Sequence, residues 1–121
     1  MQFMLMFYET PAEAARGRDP AHAEAYRGAW MAYIGAMVGA GIFVSGEELD
    51  GPGTGTTVAS RDGRRWVQDG PVADTKEHLG GYAVIDVDSR DTAIEWAARS
   101  PSAAPGAGST EVRPIVPQPP A

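Results

Sequence analysis

No cysteine occurs in this chain, which removes disulfides, thiolate metal ligation and a cysteine nucleophile at once. No apolar run approaches the ~20 residues that a membrane helix needs, so no membrane association is expected. The apolar opening, Met1 to Tyr8, lacks the basic start and small-residue cleavage site of a signal peptide. The expected location is therefore cytoplasmic. Basic residues are also scarce: 10 Lys and Arg face 16 Asp and Glu, giving a net charge of −6 and a pI near 4.7. Binding to phosphate backbones needs clustered Lys and Arg, so no direct nucleic-acid partner is expected. The two histidines form no HxH or HExxH spacing, and neither a metal nor another cofactor is expected. Gly51-Pro52-Gly53-Thr54-Gly55 lacks the Gly-Lys-Ser/Thr ending and strand-to-helix setting of a phosphate loop. It reads as a mobile loop too rich in glycine for regular structure.

What is present fits one domain. A chain of 121 residues buries roughly 65% of its unfolded surface, enough for a single core. The domain is placed at residues 1–116, with 117–121 a proline-rich tail expected to be disordered. Along Gln2 to Tyr8, Phe3, Leu5 and Phe7 alternate with Met4, Met6 and Tyr8, so both faces of this strand are apolar and need cover. Helices of the same chain can supply one layer. In so small a domain a second subunit is the natural source of the other.

Thr10 to Gly17 reads as a loop, and Asp19-Pro20 as the N-cap and first position of a helix of about 20 residues. Tyr26, Trp30, Tyr33, Ile34, Met37 and Val38 form its apolar stripe, and Gly39 or Gly41 its stop. Trp30, Tyr33 and Trp96 are assigned to the core. A short strand at Ile42–Ser45 follows. Then Thr56–Ser60 and Arg64–Gln68 flank Asp62-Gly63, a two-residue hairpin signal. Gly81–Val87 reads as a central strand and Asp88 or Ser89 as the cap of a helix through Arg99. Ile94, Ala97 and Ala98 are expected to face the sheet, and Thr110–Val116 is an edge strand containing Pro114. The order β-α-β, hairpin, β-α-β specifies an α+β, ferredoxin-like split β-α-β with an inserted β-hairpin, dimerising through the free sheet face.

The opening FMLMFY strand, Ser45-Gly46-Glu47-Glu48-Leu49, Asp69-Gly70-Pro71, Lys76-Glu77, Leu79-Gly80-Gly81-Tyr82, Glu95-Trp96-Ala97 and Glu111-Val112-Arg113-Pro114 together resemble the YCII-related family, in its DGPF branch. Val72 stands where that branch usually has Phe. The resemblance covers nearly the whole chain and implies the dimeric α/β-barrel group, in which two ferredoxin-like subunits pack sheet against sheet. The wider group includes muconolactone isomerase-like and chloromuconolactone-dehalogenating enzymes, and DGPF proteins are often associated with extracytoplasmic-function sigma factors. The resemblance thus implies two readings: a small-molecule pocket with acid-base or lyase-type chemistry, or a non-catalytic regulatory or interaction protein.

Candidate chemistry clusters between Gln68 and Tyr82. Asp69 either places a carboxylate at a cleft rim or serves as a turn residue. Lys76, Glu77 and His78 share about one helical turn, where they can hold an anion and exchange a proton, or form a solvated polar turn. Glu111 and Arg113 lie on one strand face. Arg113 can clamp a carboxylate or phosphate, or pair with Glu77 or Glu111 across a dimer. The catalytic candidates are His78, Asp69 and His22, the last either an exposed helix-start residue or, by the family resemblance, half of a His-Asp pair. Lys76, Glu77, Arg113 and Tyr82 form the candidate site for a small anionic ligand. An enclosed cavity reached by His78 and Arg113 favours the first reading, and a filled interior the second.

Overall fold

Eight residues of alternating apolar side chains, Gln2–Glu9, form β1, the inner strand around which the computed structural model is built. It describes residues 1–71 and 75–120. Val72 lies outside them. β2 (Phe43–Glu48), β5 (His78–Asp86) and β6 (Gly108–Pro114) complete a four-stranded sheet of order β2-β5-β1-β6, in which every neighbouring pair is antiparallel. With α2 (Ala23–Gly39) joining β1 to β2 and α3 (Arg90–Ala98) joining β5 to β6, the split β-α-β arrangement expected from the sequence is present. β3 (Thr56–Arg61) and β4 (Arg64–Asp69) form a separate two-stranded sheet. Its turn residues Asp62 and Gly63 have φ of 52° and 74°, the positive values that a two-residue hairpin turn demands.

Phe3, Leu5 and Phe7 are buried with Ala83, Ile85 and Val87 against Tyr33 and Met37 of α2 and Ala93 and Ala97 of α3. The Tyr33 hydroxyl donates to the Trp96 carbonyl at 2.8 Å, tying the two helices together. Met4, Met6 and Tyr8 point to the helix-free side and remain only half-buried. Of the residues expected against the sheet Ala97 is buried, whereas Ile94 and Ala98 are exposed, and the inward pair is Ala93 and Ala97. Their spacing of four, set by the Ser89 cap that accepts from Thr92 N at 3.1 Å, fixes the rotation of the helix.

Several boundaries shift for local reasons. Thr10–Gly17 is not a loop: Thr10 Oγ1 caps the Glu13 amide and Pro11 opens α1 (Pro11–Arg16), a helix that buries no residue. Asp19-Pro20 begins a turn, since the Asp19 carbonyl receives both His22 N and Ala23 N, and α2 starts only at Ala23. Gly41, at φ 74°, closes α2. Pro52–Thr54 forms a 3-10 turn held by Thr54 Oγ1 on Gly51 O, within the segment read as irregular. β5 begins at His78, so His78 is extended, not helical.

Two glycines give stability changes of opposite sign. At Gly108, φ is 152° and a Cβ would stand 2.0 Å from the Tyr8 carbonyl oxygen, whereas at Gly28 in α2 a Cβ meets nothing within 4 Å. Thermal unfolding is expected to show Gly108→Ala losing ~2 kcal/mol or more, and Gly28→Ala gaining ~0.5–1 kcal/mol from helix propensity.

Candidate functional site

The N-terminal half of α2 stands away from the sheet, because its buried residues, Tyr33 and Met37, both lie in the C-terminal half. The space left between α1, α2, β2 and the β1–β5 ladder is a cavity of about 840 Å³, open on one side. Phe7, Tyr26, Trp30, Ile34 and Phe43 supply apolar wall, while Glu9, Glu48, Arg18, Arg27 and His78 supply charge and an imidazole. Phe7 and Trp30 meet edge to face with centroids 4.9 Å apart. Gly46, Gly80 and Gly81 form part of the wall on the sheet side.

Glu9 is the chemical centre of this space. Phe3, Leu5, Phe7 and Glu9 are alternate residues of β1, so the strand that fills the core with three apolar side chains ends by turning a carboxylate to the same side. The Tyr26 hydroxyl donates to Glu9 Oε2. Burial raises the Glu9 pKa above the usual carboxylate value. The Tyr26 hydrogen bond and the Arg18 charge oppose that rise, and the neighbouring Glu13 and Glu48 charges add to it. Tyr26 is itself pushed up, first by burial, then by its bond to Glu9 and the Glu9 charge. The nearby Trp30 indole pulls slightly the other way. That indole N–H, though close to Tyr26, is buried without a hydrogen-bond partner of adequate geometry among the described residues.

His78, a catalytic candidate from the sequence, borders the cavity and pairs directly with Glu9 across the β1–β5 ladder. Tyr82 also borders it, although its register opposite Met6 assigns it to the helix-free face. The other candidates lie elsewhere. Asp69 is exposed at the end of β4, where Gly70 takes φ 85° and its amide donates to the Gly55 carbonyl; that is a sufficient turn role. Lys76 is exposed, and Glu77 accepts from Ser109 Oγ. Arg113 pairs with Glu111 on its own strand, Nε to Oε2 at 3.0 Å, and does not reach the cavity. His22 Nδ1 lies 2.7 Å from Asp19 Oδ2, an exposed pair outside the cavity wall. The imidazole bond and the Ala21 amide hold the Asp19 pKa below its usual value. Among the described residues no cluster of His, Asp and Glu is arranged to hold a metal, and no helix is long and apolar enough to cross a membrane.

The sequence reading placed Tyr26 in a core stripe and passed over Glu9, Arg18 and Glu48 as site residues. The available signal was the break of alternation at Glu9, a carboxylate on a face that had been apolar for three positions.

With this geometry established, comparison with known proteins gives a family. A model of the YCII-related domain matches residues 1–118. The chain belongs to the YCII-related family. An uncharacterised protein of Rhizobium meliloti (strain 1021) is 44% identical over 59 residues, 49% of this chain and 48% of that protein, so the chain spans about half the length of the curated relative it matches. Among solved structures, 5-chloro-2-hydroxyhydroquinone dehydrochlorinase from Burkholderia phenoliruptrix AC1100, in complex with 2,5-dihydroxybenzoquinone, superposes with a TM-score of 0.54. The match covers 96% of this chain and 94% of that one at 16% identity, a likeness of fold.

The raised Glu9 pKa has a direct consequence for stability. The folded protein binds this proton more tightly than the unfolded chain, so the contribution is present at low pH and is lost as pH rises through the folded value. Glu9→Gln keeps an acceptor for Tyr26 without the charge. Melting temperatures measured from about pH 4 to 8 should show the variant at least as stable as the parent near neutrality, with the advantage vanishing toward the ordinary carboxylate range. An advantage that grows on acidification would contradict the assignment.

Proposed function

We propose that this YCII-related protein binds a small, weakly acidic organic molecule in the cavity and performs acid-base, lyase-type chemistry on it. The observation that carries the reading is a half-buried carboxylate of raised pKa, bonded to a tyrosine, within a concave and largely apolar space. In the proposed reaction Glu9 removes a proton from the bound molecule, the electrons of that bond form a new double bond, and the leaving group departs with its own pair. Tyr26 steadies the carboxylate by its hydrogen bond. His78, across the ladder, also borders the cavity and is placed to give a proton to a leaving group that departs as an oxygen anion, a step that chloride does not need. The name of the dehydrochlorinase of like fold supports elimination as the reaction class. The alternative, a regulatory protein linked to sigma factors, calls for a filled interior; the cavity, open on one side and bordered by His78 but not by Arg113, favours the small-molecule reading.

The test uses hydroquinone as a ligand and chloride release from a chlorinated hydroxyhydroquinone as a reaction. The parent is expected to show saturable quenching of tryptophan fluorescence and measurable release. Glu9→Gln should lower turnover about a hundredfold or more while remaining folded. Turnover unchanged in Glu9→Gln sinks the catalytic reading, and the absence of binding by the parent sinks the site.

We also propose that two copies pack through the helix-free sheet face. Met4 and Met6 of β1 and Val84 of β5 make an apolar strip there, Met4 and Val84 being register partners, with the Glu111–Arg113 pair beside it. Light scattering at micromolar concentration is expected to give twice the mass of the chain, and Met6→Glu a folded monomer. A monomeric parent overturns the proposal.

A further inference from the structure

The walls of the cavity carry four carboxylates, Glu9, Glu47, Glu48 and Asp50, against the guanidinium groups of Arg18 and Arg27. Glu48 charge acts on both Glu9 and Tyr26. Lys76 and Arg113, the cations expected to receive an anion, stand outside this space. At the polar end, Glu9 Oε2 is occupied by the Tyr26 hydroxyl, whereas Glu9 Oε1 accepts no hydrogen bond among the described residues. Oε1 lies 2.8 Å from where a Cβ would stand on Gly80, so the backbone leaves it uncovered by a side chain there. Beside this open acceptor the wall is aromatic, with Phe7, Trp30 and Phe43.

From these observations, and resting on the reading of the cavity as a ligand site, we infer that it selects an uncharged aromatic ring bearing a hydroxyl donor and rejects rings bearing a carboxylate. The ligand hydroxyl donates to Glu9 Oε1, the remaining half of a carboxylate whose other half is already bonded. The ring fills the aromatic end, and around the space the four carboxylates outnumber the two guanidinium groups. A ligand carboxylate meets like charges from Glu9 and Glu48 in a partly dehydrated space, where repulsion is screened far less than in water. A hydroxyl thus satisfies the open acceptor without bringing a further negative charge into the space.

The experiment titrates the full chain at pH 7 with resorcinol, 1,3-dimethoxybenzene and 3-hydroxybenzoate, following tryptophan fluorescence and calorimetric heat. Resorcinol is expected to bind about tenfold or more tightly than each of the others. Glu9→Gln should bring resorcinol and 3-hydroxybenzoate within about threefold of one another. Glu48→Gln, which leaves the hydroxyl acceptor in place, should strengthen 3-hydroxybenzoate alone, so the idea stays testable if the Glu9 variant folds poorly. Equal or tighter binding of the benzoate or the dimethoxy ring overturns this selectivity while leaving the cavity a ligand site. Binding of none of the three by the folded parent overturns both.

Discussion

The hydrogen bond from Tyr26 to Glu9 joins the end of β1 to the N-terminal half of α2, beyond the contact of Phe7 with Trp30. Glu9 belongs to the end of the inner strand β1, and Tyr26 to the second turn of α2, a stretch of helix with no fully buried side chain. A carboxylate on the inner face of a sheet must be solvated, paired or protonated. Here partial burial raises its pKa, while the phenol and the Arg18 charge hold that rise in check. Keeping a polar group there is incompatible with closing α2 fully onto the sheet. The cavity and the polar pair are therefore two aspects of one constraint: a filled core at this end would strand the charge, and an apolar residue at position 9 would remove the reason for the space.

Much of the architecture was legible because it rests on short-range rules. The alternation of Phe3, Leu5 and Phe7 gave the inner strand, Asp62-Gly63 gave the hairpin, Ser89 gave the start of α3, and Pro114 gave an edge strand. α1 was missed for a physical reason. It buries nothing, so hydrophobic periodicity carries no trace of it, and it stands on the Thr10 cap, Pro11 at its start and the Arg16–Glu13 pair. His78 was misread because local composition there favours a polar turn, which Lys76 and Glu77 do form, whereas β5 is drawn out to His78 by pairing with Glu9, 69 positions away in the chain.

The site was less legible than the fold for the same reason. Its members come from β1, the α1–α2 turn, α2, β2 and the start of β5, and only the register of the sheet and the docking of α2 bring them together. The segment most conspicuous in the sequence, Asp69-Gly70-Pro71 with Lys76 and Glu77, lies away from the cavity wall. Its residues make backbone turns and a contact to Ser109. Turn-forming residues are conspicuous because few residue types can do their work. A lone glutamate closing an apolar strand is less conspicuous, since an exposed glutamate there would look the same in one dimension.

The bond from the Tyr33 hydroxyl to the Trp96 carbonyl clamps the C-terminal half of α2 to α3, and Met37 anchors it in the core. The N-terminal half is held by different contacts, the Tyr26–Glu9 hydrogen bond and the meeting of Trp30 with Phe7, and it bridges the cavity between them. The bridge is the run Tyr26-Arg27-Gly28-Ala29-Trp30, where a single residue without a side chain sits between the phenol that holds the carboxylate and the indole of the apolar wall.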